Sequence, residues 1–372
     1  MALASRSFLR NIDWPLLAMS LLLVAFGLAA IFSITLNQDT PDLTRFWRQI
    51  LFIAVGLVFL VLLARMDYRF LSGGGARILY ISSLVLLVAV LLFGSTIRGA
   101  TAWFTIGGFS LQPVEFVKII VIIALARVLA PELARPLTWR LIGFTFLLAA
   151  IPIGLVMLQP DLGSATVIMA IWLGMLIFAR ISFRKLLLLL SVLLIATALF
   201  GQLVLTETQR NRFTVFFSPE KNCLGDAWNF CQSVTAVGSG QVAGRGLGLG
   251  SQSQLNFLPE QETDFIFAVI AEEMGLIGSG VILILFLVLF WRFIRLLRET
   301  RDGFAMLVIG GILVMFFSQM FVNIGMNIGI LPIAGIPLPF VSYGGSSLLA
   351  SLIAVGIIES IASHTRSTAT SF

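Results

Sequence analysis

The sequence predicts an all-α polytopic membrane protein of about ten transmembrane helices, with both termini cytoplasmic and a large extracytoplasmic loop between helices seven and eight. Three observations carry that prediction. Of 372 residues, 59% are hydrophobic and 11% charged, where a soluble domain carries ~25% charge. The apolar residues fall in runs long enough for a ~30 Å hydrocarbon core, which takes roughly 20 residues per helix. The lysines and arginines stand singly between those runs, as topology signals do. No basic stripe for nucleic acid forms, despite a pI near 10.0.

The ten runs are Trp14–Leu36, Phe46–Ala64, Arg77–Ser95, Gln112–Ala130, Trp139–Leu158, Asp161–Ala179, Lys185–Leu205, Asp264–Trp291, Phe304–Ile330 and Ser346–Ile361. The first is too long, and too well continued by others, to be a cleaved signal peptide. Runs two and three are parted by Arg65, Arg69 and Arg77, and three and four by the polar stretch TIRGATAWFTIGGF. Arg127, Arg135 and Arg140 precede the fifth run. Only QPD separates the fifth from the sixth, which predicts a tight helical hairpin. Arg180, Arg184 and Lys185 open the seventh, a loop of about residues 206–263 precedes the eighth, and Arg292, Arg295, Arg298 and Arg301 close the eighth. LPIAGIPLPFVSYGG leads into the tenth.

With the N-terminus inside, sixteen cations, Arg6, Arg10 and Arg366 among them, fall on the cytoplasmic side and eight on the other. Four of those eight lie in the long loop, which translocates largely regardless of charge. The polar, Gly- and Pro-rich segments all face outward, and the chain reads as one integral-membrane domain, 1–372.

Composition also removes chemistries. The single histidine, His364, sits in the C-terminal tail, which excludes Ser-His-Asp catalysis and His-rich zinc sites. The only cysteines, Cys223 and Cys231, cannot build a four-thiolate site. In an oxidising outer compartment they are candidates for a disulfide; otherwise they are buried thiols. Catalysis is left to carboxylates, Lys and Arg, hydroxyls, or an oxygen-held metal.

The stretch LPEQETDFIFAVIAEEMG concentrates Glu260, Glu262, Asp264, Glu272 and Glu273, out of 18 acidic residues in the chain. Asp264 reads either as a helix-end charge with Thr263 as cap or as a functional carboxylate. If the helix reaches back to Glu260, then Glu260, Asp264 and Glu272 share a face, suiting a general base or a metal site. Glu115 and Lys118 lie one turn apart inside span four: a mutual pair, or a lysine holding a phosphate in an outward-open cavity. Asp161 reads mainly as a helix cap. Arg48, Arg210 and Arg212 are anion ligands or lipid-facing snorkels. GSGQVAGRGLGLG fits no phosphate-loop spacing and reads as a flexible or re-entrant outer loop.

The motifs GATAWFTIGGFSLQPVEFVK, QPDLGSA, TQRNRF, SQSQLNFLPEQETDFIFAVIAEEMGLIG and FVNIGMNIGILPIAGIPLPFVSYGGSS, in that order, resemble the SEDS family (shape, elongation, division and sporulation proteins). SQSQLNFLPE and the short termini resemble its elongation member more than its division member. The resemblance implies a glycosyltransferase that polymerises lipid II into peptidoglycan at the outer face of the bacterial cytoplasmic membrane. It also implies a class B penicillin-binding protein as transpeptidase partner. The family's essential acid falls on Asp264; its substrate-site residues fall on Glu115, Lys118 and Trp103, and Ser342 lies in the VSYGG motif. Ala102 stands where the family carries a basic residue, which shifts an expected phosphate contact to Arg98. Val114 replaces the usual serine.

The implied chemistry suits these residues. An α-linked donor giving a β-linked polymer implies inversion, so a carboxylate base is needed and an enzyme nucleophile is not. Cations such as Lys118, Arg48 or Arg210, or a divalent ion (Mg or Mn) at Asp264 and Glu260, would stabilise the departing diphosphate. No other cofactor and no nucleic acid is expected; membrane lipids surround the chain. The competing readings are a lipid II flippase and a non-catalytic scaffold. No internal repeat of the transporter kind is evident.

Overall fold

The computed structural model describes residues 12–36, 43–97, 99–107, 109–204, 207–217, 223, 225, 227–255 and 257–369. Arg6, Arg10, Arg98 and Lys221 lie outside them. Each predicted apolar run coincides with a helix. In chain order these are α1 (Trp14–Leu36), α2 (Thr44–Arg65), α3 (Gly75–Phe93), α4 (Val114–Leu129), α5 (Trp139–Met157), α6 (Leu162–Phe178) and α7 (Phe183–Val204). The long loop adds α8 (Glu207–Phe217) and α9 (Trp228–Ser239), and α10 (Ile266–Glu299), α11 (Gly303–Asn327) and α12 (Gly345–Ala369) complete the chain. Among the described residues seven helices, α1, α2, α3, α5, α10, α11 and α12, are long and apolar enough to cross a membrane, and α6 is a shorter apolar helix. The protein is a multi-pass membrane protein. A helix satisfies its own backbone hydrogen bonds, the condition lipid imposes on any span.

The all-α expectation needs one correction. Between α3 and α4 the chain folds as an antiparallel sheet in the order β1 (Ser95–Ile97), β2 (Ala100–Ile106), β3 (Phe109–Leu111). The reason lies in the local sequence. TAWFTI is β-branched and aromatic, and the turns at its two ends use Gly99 and Gly107, both at positive φ.

The least apolar of the spanning helices is the most deeply buried. The spanning window of α12 is the least apolar of the seven, at 1.8, yet 89% of it is buried, against 17% for α2 at 2.3. Lipid is as apolar as leucine, so helices associate through close packing and internal polar contacts. α12 supplies both. It lies against α2, where a Cβ on Gly356 would come 2.9 Å from the Leu60 backbone. It also buries Ser346, Ser347, Ser351, Glu359 and Ser360. At the far end from the sheet, buried Asp13 pairs with Arg292, and the Asp13 amide donates to Glu359 at 2.8 Å, which fastens α1, α10 and α12.

The glycine-rich loop is docked. α10 breaks at Gly275 (φ 63°, ψ −160°), and residues 241–246 enter the break. The amides of Arg245 and Gly246 donate to the Glu272 and Glu273 carbonyls at 3.0 and 2.9 Å, and Leu276 donates to Gln241 at 2.9 Å. The hydrogen bonds the helix loses there are restored by the loop. A Cβ at Gly275 would meet the Gly244 nitrogen at 2.3 Å, so no other residue fits.

Candidate active site

Asp264 lies two residues before α10, whose N-cap is Phe265 without a side-chain cap bond. The expected Thr263 cap and the expected common face of Glu260, Asp264 and Glu272 are therefore both corrected. Glu260 has left-handed backbone (φ 59°) and is exposed, and its carbonyl accepts the amides of Thr263 and Asp264, both at 3.1 Å. The chain turns there instead of extending the helix. Glu272 is fully buried and accepts from the Gln252 and Ser253 amides at 2.8 and 3.0 Å, capping the four-residue helix Ser251–Gln254.

The Asp264 backbone is held from behind by two buried asparagines one turn apart on α11. Asn323 and Asn327 donate to the Asp264 carbonyl at 2.9 and 3.0 Å, and Asn323 also donates to Ile336 at 2.7 Å. Asn327 accepts from the Ala268 amide at 3.2 Å, and α9 joins through Ser233, which donates to the Asn327 carbonyl at 3.0 Å. Buried Ser342 donates to the Thr263 carbonyl at 2.5 Å, so it positions the neighbouring turn and does not line the cavity. Asn323→Leu removes two of these bonds from buried carbonyls and should cost ~1–3 kcal/mol. A lowered melting midpoint in detergent, with helix content unchanged, is the expected result.

An open cavity of about 290 Å³ lies in front of Asp264. Of the residues expected at a site, Arg48, Trp103, Asp161 and Asp264 line it, and so does Arg212. The sheet forms one wall through Ile97, Ala100, Trp103 and Phe109; the start of α12 forms another. Asp264 and Arg212 converge on one point: a Cβ built on Gly335 would lie 3.7 Å from the Asp264 Oδ2 and 4.0 Å from the Arg212 Nη1. Arg48 stacks over the Phe109 ring at 5.7 Å. Asp161 caps α6 through the Ser164 amide at 2.9 Å and accepts from Gln112 at 3.1 Å, so its charge is already satisfied.

Other expected residues stand apart. Lys118 and Glu115 are buried, bonded to each other at 2.7 Å, and absent from the cavity wall. The expectation that Lys118 faces an open cavity is corrected: burial in a medium of low dielectric commits the ammonium to Glu115. Arg210 is exposed on α8 and does not line the cavity. Cys223 and Cys231 form a disulfide just before and within α9. No three His, Cys, Asp or Glu side chains gather as a metal site among the described residues.

Sequence reading passed over Tyr343, Asn323 and Asn327. Tyr343 lines the cavity; burial raises its hydroxyl pKa above the ordinary phenol value, Arg48 lowers it and Glu262 raises it further. It therefore stands as a neutral donor. The asparagines had left a signal, two amides four residues apart in an apolar span.

Comparison with known proteins agrees with this architecture. The family model for FtsW, RodA and SpoVE, described as a cell cycle protein, matches residues 13–367. The peptidoglycan glycosyltransferase MrdB of Escherichia coli (strain K12) is 37% identical over 358 residues, 95% of this chain and 94% of that protein. The crystal structure of the rod shape determining protein RodA of Thermus thermophilus superposes with a TM-score of 0.71 at 30% identity, covering 94% of this chain and 96% of that one. A chain from a structure on the coordination of polymerization and crosslinking by a peptidoglycan synthase complex reaches 0.81, also at 30%, over 95% and 98%. A family match across nearly the whole length places this chain in the FtsW/RodA/SpoVE family.

Proposed function

We propose that this chain is a peptidoglycan glycosyltransferase that polymerises lipid II at the outer face of the bacterial cytoplasmic membrane, in cell elongation. One observation carries the reading: a carboxylate, Asp264, and a guanidinium, Arg212, converge on one point of an open cavity that Arg48 also lines. Likeness to a glycosyltransferase and to RodA supports the activity and the elongation role. The cation distribution supports ten spans with the cavity outward and both termini inside.

The chemistry follows from the groups present. The acceptor sugar hydroxyl gives its proton to Asp264 as its oxygen bonds to the donor's anomeric carbon. The bond from that carbon to the diphosphate oxygen breaks, and its electron pair leaves with the diphosphate. The cationic wall stabilises that charge where it develops. A single displacement inverts an α-linked donor to a β-linked polymer and requires no nucleophile on the enzyme. A divalent cation, Mg or Mn, would enter with the diphosphate, since magnesium is commonly held by one carboxylate and substrate phosphates. The class B penicillin-binding protein partner is supported by likeness to a chain from a synthase complex.

The test is lipid II turnover by the purified protein with that partner, its transpeptidase blocked by penicillin. Glycan chains are expected. Lipid II crossing the bilayer of liposomes without polymer would establish the flippase reading instead. Within the active enzyme, Arg212→Ala should lower turnover about tenfold or more and Arg210→Ala less than about threefold, because only the first faces the developing charge.

A further inference from the structure

The first turn of α12, a 25-residue helix that contains no acid in its first turn, forms the cavity wall beside the sheet. Gly344, Gly345, Ser346 and Ser347 all line the cavity. The first hydrogen bond of that turn is Leu348 to Gly344, at 3.0 Å, so the amides of residues 345–347 precede it. They form the donor-rich, positive end of a long helix. A helix end alone would say little. Here a second observation points to a ligand. Ser347 is 8% exposed, faces the cavity, and its hydroxyl has no hydrogen bond among the described residues. Ser346, by contrast, accepts from the Gln112 amide at 2.7 Å. Arg48, on the adjoining helix α2, lines the same cavity.

We propose that the N-terminus of α12 is the diphosphate subsite: the amides of Gly345, Ser346 and Ser347 and the Ser347 hydroxyl hold the phosphate oxygens of a polyprenyl diphosphate, with Arg48 beside them. The identity of the ligand rests on the glycosyltransferase reading; the anion site itself rests on the geometry. The assignment separates two roles in one cavity. The leaving group sits at the α12 end, and the base, Asp264, in the same cavity, serves the acceptor. It also supplies the anion contacts that buried Lys118 does not make.

The test measures binding, not turnover, so it decides the question even if the protein makes no glycan. Farnesyl diphosphate, farnesol and inorganic pyrophosphate are titrated into the purified full-length protein in detergent. The wild type should prefer the diphosphate to the alcohol, and pyrophosphate should compete. Ser347→Ala should weaken diphosphate binding about tenfold, the worth of one hydrogen bond to a charged group. Ser347→Asp should weaken it about a hundredfold through like-charge repulsion, while leaving the melting midpoint equal or higher because a carboxylate suits a helix N-terminus. Arg210→Ala, outside the cavity wall, should bind as tightly as the wild type. Binding by Ser347→Asp within about threefold of the wild type, in an assay where an anion contact is worth far more, would overturn the proposal. So would a wild type that treats farnesol and farnesyl diphosphate alike, or pyrophosphate that fails to compete.

Discussion

Asp264→Asn should lower lipid II polymerisation by ~10²–10⁴-fold, the usual contribution of a positioned general base. The amide keeps the size of the carboxylate and loses its basicity. Little else should change. The Asp264 contacts that organise the turn use its backbone: the amide donates to Glu260 and the carbonyl accepts from Asn323 and Asn327. The variant should therefore fold and melt like the wild type and still associate with its partner. Turnover is measured as consumption of labelled lipid II, with the melting midpoint recorded on the same preparation. Loss of activity together with loss of fold would make Asp264 a structural charge.

Lys118→Met should destabilise the protein by ~3–5 kcal/mol, because removing one partner of a buried pair strands the other charge. Among the described residues Glu115 would keep the Gln319 amide alone, at 3.5 Å, in a site 3% exposed. The paired variant Glu115→Gln with Lys118→Met removes both charges and should recover most of that loss, since a buried ion pair is worth little against neutral groups of similar shape. The melting midpoints of the two variants read this directly. Turnover adds a second reading. A pair that only holds α4 against its neighbours predicts measurable activity in the double variant, whereas a lysine that contacts substrate predicts none.

Much of the fold was legible because lipid imposes a simple code. Every apolar run became a helix, with starts within a few residues, though α10 and α12 run on well past the expected Trp291 and Ile361, to Glu299 and Ala369; a helix satisfies its own backbone in hydrocarbon. The sheet was not legible, because TAWFTI is short and its strand signal competes with two long flanking spans. The break in α10 was equally hidden. Gly275 looks like one more glycine in an apolar run until the loop from residue 241 to residue 246 is seen inside the break. Asp264 stood out by its charge, but its neighbours misled: Glu260 and Glu272 share its spacing and yet serve a turn and a cap. Spacing predicts a common face only where the helix is continuous. Ser347 and the asparagines behind Asp264 carry no charge, and their roles come from contacts between segments far apart in the chain. Such contacts are the part of a site that a sequence records least.

An outward-facing lipid II site at Asp264 is tested most directly by one labelling experiment. The two natural cysteines are bonded to each other, so Asp264→Cys gives a single reactive thiol. In intact spheroplasts a membrane-impermeant maleimide should label it from the outer face, and added lipid II should slow that labelling. Labelling only after the membrane is opened, or labelling that lipid II does not slow, would contradict an outward-facing site that binds lipid II.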